Sequence, residues 1–180
     1  GAVGFTDEGI PIKDAKTVKA AMELAAELDV PISLHEEDPD LIQRPGVNQG
    51  KVSEKLNYGG APARSEYEMV RRDCDLTLQT RAKTVIQHIS SAESVEAVRQ
   101  CWRKGGRIYG EVTPQHFSVT EDLVLEKGAL ARVNPPLRTE ADRQAIIEGL
   151  KDGTLNIIAT DHAPHSREEK AKDIKDAPSG

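Results

Sequence analysis

Apolar positions along the chain fall into short runs that alternate with longer, periodic stretches. The runs read as strands: Ala2-Val3-Gly4-Phe5, Val30-Pro31-Ile32-Ser33-Leu34, Thr84-Val85-Ile86-Gln87, Ile108 to Val112, Arg132-Val133 and Asn156-Ile157-Ile158-Ala159. Most are rich in β-branched residues and bounded by polar or turn residues, the pattern of strands covered on both faces. Between them the apolar residues recur every three or four positions. Val18, Met22, Ala25 and Leu28 predict a helix from about Asp14, its N-cap, to Leu28. A second helix is expected from about Ser65 to Thr80. Ser90 and Glu93 form a capping box for a third, in which Val95, Val98 and Trp102 make the buried stripe and Gly105-Gly106 the stop. Thr139 opens a fourth, with Glu140 and Asp142 in its first turn, Ile146 and Leu150 facing inward, and Lys151 and Gly153 at its end.

Repeated strand-then-helix units with apolar strands predict an α/β fold built on a parallel sheet. A closed TIM-type (β/α)8 barrel takes ~250 residues, and the chain holds about six strand-helix units of that kind. Residues 1–180 are therefore expected to be an internal portion of one catalytic barrel, lacking its first strands and its C-terminal end. The opening on a strand without a start methionine, and the close on Ala177-Pro178-Ser179-Gly180, agree with that expectation. The segment from His35 to Ala63 is rich in Pro, Gly, Asn and Gln and too long for an ordinary strand-to-helix connection. It is expected to arch over the face where the strands end.

Composition narrows the function classes. The 30 acidic and 24 basic residues give a net charge of -6 and are interleaved rather than clustered, so no nucleic-acid footprint is present. No apolar run approaches transmembrane length, and no membrane partner is expected. Cys74 and Cys101 sit in helical segments without a CxxC partner, which reads as reduced, structural thiols of a cytoplasmic protein.

Candidate chemistry lies at the strand ends. Asp7, His35, His88 and Asp161 each follow an apolar run, and barrel hydrolases present catalytic groups from that position. Imidazole nitrogen and carboxylate oxygen together are the ligand set of catalytic zinc, which keeps one position open for water. For any one of the four, a hydrogen-bonded polar residue at a strand end is an equal reading. Their convergence in a barrel favours metal.

The motifs Gly4-Phe5-Thr6-Asp7-Glu8-Gly9, His35-Glu36-Glu37-Asp38, Gln87-His88-Ile89-Ser90, Glu111-Val112-Thr113-Pro114, Asn134-Pro135-Pro136-Leu137-Arg138 and Ala159-Thr160-Asp161-His162-Ala163-Pro164-His165 resemble, in order and spacing, those of class I bacterial dihydroorotases of the amidohydrolase superfamily. That resemblance implies two zinc ions in a complete site and interconversion of N-carbamoyl-L-aspartate and L-dihydroorotate in pyrimidine biosynthesis. By the same resemblance Asp7 is the carboxylate that bridges the zinc ions, and His35 and His88 are ligands of the second zinc. Asp161 resembles the aspartate that binds the first zinc and shuttles the proton; Asn134 and His165 resemble substrate contacts. His162 and His116 take no metal role from it. The family's first zinc also uses a His-x-His pair followed by an arginine, and none of the five histidines here supplies that pair; it is expected upstream of Gly1. A homo-oligomer is expected, and an aspartate transcarbamoylase partner is compatible with the resemblance. Two other readings share parts of the pattern. A hydantoinase or allantoinase would carry lysine where this chain has Asp7, and an inactive dihydroorotase-like subunit would have lost ligand positions that are filled here.

Overall fold

The computed structural model of the chain describes residues 1–7 and 9–180; Glu8, part of the first motif, lies outside the described residues. Five parallel strands form one sheet in the order of the sequence. They are β1 (Phe5–Thr6), β2 (Pro31–Leu34), β3 (Lys83–Ile86), β4 (Ile108–Val112) and β5 (Leu155–Ile158). The register pairs Phe5 with Ile32, Leu34 with Ile86, Ile86 with Gly110 and Val112 with Ile158. Because every strand runs the same way, Asp7, His35, His88 and Asp161 all fall at one edge of the sheet.

Arg132-Val133 is not a strand, and among the described residues the expected six become five. A 3-10 turn over Gly128–Ala131 leads straight into it, and Pro135 and Pro136, which have no N–H to give a ladder, follow it. Arg132 instead sends its guanidinium to the carbonyl oxygens of Ile174 (3.0 Å) and Ala177.

Four helices pack in series, each against the next: α1 (Ala15–Glu27), α3 (Arg64–Thr80), α4 (Ala92–Arg103) and α7 (Glu140–Asp152). Their starts follow local chemistry. Asp14 caps α1 by accepting from the Thr17 N–H, and Thr139 with Asp142 makes a full capping box for α7. At α4 the cap is Ser91, not Ser90: the Ser91 side chain accepts from the Ser94 N–H, and both serine hydroxyls also bond the buried Glu66 carboxylate. Gly105 ends α4 at φ +86°, a left-handed conformation that glycine adopts without a Cβ clash. Trp102 is about half exposed rather than buried. Cys101 holds the inward position, and a Cβ on Gly106 would already lie 2.5 Å from its sulfur, so no indole fits there.

The main core joins β3, β4 and β5 to the helices through Val70, Ile86, Val95, Val98, Val112, Ile146 and Leu155. A second cluster packs Val18, Met22 and Ala25 of α1 on Ile32 and Leu34. The long 35–63 segment is ordered: a 3-10 turn (Pro39–Leu41), helix α2 (Lys51–Lys55) and a third apolar cluster, in which Val47, Val52 and Tyr58 meet Val124 and Leu137. Short helices α5 (Pro114–Ser118) and α6 (Leu123–Lys127) follow β4, and α8 (Arg167–Lys170) follows β5. Among the described residues no helix is long and apolar enough to cross a membrane.

Candidate active site

The strand ends supply two groups of side chains. In the first, His35 Nδ1 and His88 Nε2 face each other at 2.9 Å, with the rings nearly perpendicular. Asp7 braces this pair from β1: one carboxylate oxygen accepts from the His35 N–H at 2.8 Å and the other from the Ile12 N–H at 3.2 Å. His88 sits at φ 33°, a conformation costly for a residue with a Cβ, and its N–H donates to Glu111 Oε1 at 3.1 Å. Burial, and then the neighbouring His35, lower the His88 pKa to about 4, so the ring is neutral at pH 7.

Behind His35 lies Glu37, a residue to which the sequence assigned no role. Its Oε2 stands 3.6 Å from His35 Nε2 and accepts a hydrogen bond from the Asn134 amide. Its Oε1 is buried without a hydrogen-bond partner, as is Asn134 Oδ1. Glu36, next to it, is fully enclosed, and burial together with the facing Asp73 holds its carboxyl well above the usual range.

The second group follows β5. Thr160, Asp161, His162 and His165 line a cavity of about 410 Å³ with Asn134, Gln115 and Lys170. Asp161 is exposed at φ 49°, and His165 Nδ1 lies 3.7 Å from Glu169. The Lys170 ammonium draws the chain end in, donating to the carbonyls of Pro178 (3.0 Å) and Gly180 (2.9 Å). Asn134 touches both groups: it holds Glu37 on one side and lines this cavity on the other.

The site residues expected from sequence are thus brought together in part. His35 and His88 meet, Asp7 supports His35, and Asn134 and His165 share a cavity with Asp161. β5 is separated from β3 by β4, and among the described residues no group of three or more His, Cys, Asp or Glu side chains stands at metal-holding distances. The donors nevertheless suit zinc. Two imidazole nitrogens converge, and the lowered pKa of His88 leaves its ring in the neutral state a metal requires. Each histidine also has a carboxylate nearby, Glu37 at the ring of His35 and Glu111 at the backbone of His88, an arrangement that orients metal-binding imidazoles when the carboxylate meets the ring.

A buried polar network fixes these loops. The Glu66 carboxylate accepts from the backbone N–H groups of Ser90 (3.1 Å) and Ser91 (3.0 Å) and from both serine hydroxyls. Burial pushes the Glu66 carboxyl up, but Arg138 and the serine donors outweigh it and hold the group below its usual value. Arg138, equally enclosed, donates to Ser90 Oγ (3.0 Å), Asn48 Oδ1 (2.8 Å) and the Ala61 carbonyl (2.7 Å). One ion pair therefore joins α3, the turn after His88, the long 35–63 segment and the Asn134 loop. His116 completes the frame: its ring bonds Thr113 Oγ1 (2.7 Å) and the Pro135 carbonyl (3.0 Å), and burial lowers its pKa. Glu66 carries no local signal, whereas Arg138 stood inside a recognised motif with no role attached.

A parallel α/β sheet thus carries imidazoles, carboxylates and an amide along the C-terminal edge of its strands. Residues 1–94 match the Dihydro-orotase-like family. The whole chain is 53% identical to a dihydroorotase of Clostridium acetobutylicum and 54% identical to one of Clostridioides difficile, and spans 42% and 43% of those proteins. In fold it is similar to a D-hydantoinase (TM-score 0.81, 23% identity, 42% of that chain) and to the L-hydantoinase (dihydropyrimidinase) of Arthrobacter aurescens (TM-score 0.83, 22% identity, 43% of that chain), each covering all of this chain. The chain belongs to the dihydroorotase-like family.

Proposed function

We propose that this chain carries a large part of the catalytic face of a dihydroorotase, a cyclic amidohydrolase of pyrimidine biosynthesis that interconverts N-carbamoyl-L-aspartate and L-dihydroorotate. The five strands then form a portion of a (β/α)8 barrel, whose curvature turns Asp161 towards Asp7, His35 and His88. The observation that carries the reading is the facing pair His35 Nδ1 and His88 Nε2 at adjacent strand ends, in a chain of this family. Those two nitrogens, with Asp7 and Asp161, are the residues to hold zinc. When bound, zinc lowers the pKa of water towards about 7 and polarises a carbonyl.

The chain's own groups have the remaining tasks. Asp161 accepts a proton from the attacking water at a carboxylate oxygen and returns it to the ring nitrogen that leaves. Asn134 and His165 meet the anionic substrate in the cavity they share, the amide giving an N–H and the imidazole a ring N–H. Glu37 fixes Asn134 and faces His35, so the substrate contact and the metal ligand rest on one carboxylate. The cytoplasm, a homo-oligomeric state and an aspartate transcarbamoylase partner belong to the same proposal.

The test is bound zinc measured alongside turnover of dihydroorotate, hydantoin and allantoin by the full-length protein. Zinc with a strong preference for dihydroorotate is expected. Preference for hydantoin or allantoin would move the protein to the hydantoinase type; zinc-free, inactive protein would make it a scaffold.

A further inference from the structure

Arg132 lies two residues before Asn134 and is buried, yet among the described residues no carboxylate forms an ion pair with its guanidinium. A buried cation is tolerated only where fixed acceptors meet it. Here the acceptors are backbone carbonyls of a single distant segment: Nη1 donates to Ile174 at 3.0 Å and to Ala177. Both oxygens belong to a turn in which the N–H groups of Asp176 and Ala177 donate to the Asp173 carbonyl, each at 2.9 Å.

The backbone of Arg132 holds the same segment. Its carbonyl accepts from the Gly180 N–H at 3.1 Å and from Lys170 Nζ at 3.3 Å. The Lys170 ammonium, bonded also to the Pro178 and Gly180 carbonyls, closes the stretch from its other side. Ser179 and Gly180 then form part of the wall of the cavity that Asn134, Asp161 and His165 line. On its far side the guanidinium meets the 35–63 segment. Its central carbon lies 5.8 Å from the centre of the Tyr58 ring, and a Cβ on Gly46 would fall 2.6 Å from Arg132 Nε. Gly46, at φ +87°, therefore gives the side chain its room.

We propose that Arg132 is a positioning residue of the substrate cavity: it holds segment 171–180 in place as the cavity wall and so sets how tightly the cyclic substrate binds. The substrate in this statement rests on the dihydroorotase reading; the hold itself does not. Segment 171–180 has no strand or long helix of its own, and such stretches open locally at small cost unless side chains tie them down. Affinity scales with the fraction of molecules whose wall is closed. Once substrate is bound the wall is closed, and Asp161 acts as before. The loss therefore falls on KM and spares kcat.

The test combines hydrogen exchange, read by mass spectrometry on the full-length protein, with steady-state kinetics on dihydroorotate. In Arg132→Met the amides of 173–180 should exchange roughly 10- to 100-fold faster, as expected for the loss of two bonds to a charged donor. Amides of β3 should keep their protection, which shows that the fold is intact. KM should rise about 10-fold, with kcat within about three-fold of the natural value. Lys170→Met, which loosens the same segment from the other side, should move exchange and KM in the same direction and carries the test if Arg132→Met does not fold. Unchanged exchange of 173–180 in a folded variant, or a fall in kcat at constant KM, would overturn the proposal. Natural protein that does not turn over dihydroorotate would instead refute the functional reading, and the exchange rates would still decide whether Arg132 holds the wall.

Discussion

Replacing Arg138 with methionine, which keeps length and removes charge, tests the buried network in the most direct way. The guanidinium is 3% exposed, makes three hydrogen bonds of 2.7 to 3.0 Å, and has Nη2 3.9 Å from Glu66 Oε2. Its removal leaves Asn48 Oδ1 and the Ala61 carbonyl without this donor, and leaves the Glu66 carboxylate enclosed with no cation. Breaking a buried ion pair from one side costs ~3–5 kcal/mol. Each orphaned neutral acceptor adds up to ~1–3 kcal/mol, but the loop can relax around them, and Glu66 keeps four donors from Ser90 and Ser91. We therefore expect a loss of ~3–5 kcal/mol in total, read as a lower urea midpoint with unchanged slope in the full-length protein at pH 7. The double variant Glu66→Leu with Arg138→Met should recover part of it, because no charge then stays buried alone. A loss below ~1 kcal/mol, or strict additivity of the two changes, would show that the pair behaves like a surface ion pair and that the argument from burial is wrong.

Four further outcomes are expected. Asp161→Asn in zinc-replete, full-length protein should lower turnover of dihydroorotate by about 100- to 10,000-fold, more than it weakens substrate affinity; a near-normal rate would remove Asp161 as proton shuttle. Asn134→Ala should weaken catalysis by ~1–3 kcal/mol in kcat/KM without loss of metal, and unchanged kinetics would leave Asn134 a turn residue. In metal-free protein the lowered His88 pKa makes the unfolded chain take up a proton below pH 6.5 that the folded chain refuses until about pH 4. Stability should then be flat in this group above pH 6.5 and fall by ~3 kcal/mol as pH drops to 4, a slope that His88→Gln should abolish in denaturation measured against pH. Gly110→Ala should destabilise by ~1–3 kcal/mol, since the added Cβ falls 2.6 Å from Leu155 Cδ2 and 3.2 Å from the Thr154 carbonyl; urea unfolding at the natural midpoint would count against that packing.

Much of the fold is written locally, and so it was legible. The β-branched runs at Ile32, Val85 and Ile157 each form a strand, and Asp14 and Thr139 each open a helix through bonds that span three residues. Strand-end placement of Asp7, His35, His88 and Asp161 follows from the same runs, because a parallel sheet puts all its C-terminal ends at one edge. What the sequence alone left undecided depends on partners far along the chain. The Ser90 and Ser91 hydroxyls both bond Glu66, 24 and 25 residues earlier, and it is Ser91 that caps α4. Trp102 has helical spacing with Val95 and Val98, yet the closeness of Gly106 decides that the smaller Cys101 turns inward. Glu37 and Asn134 are 97 residues apart, and Arg138 and Asn48 are 90. Period and capping are short-range and can be read from neighbours, whereas a buried charge is tolerable only where tertiary packing delivers its counter-charge and donors; only the folded chain decided which polar residues hold the site.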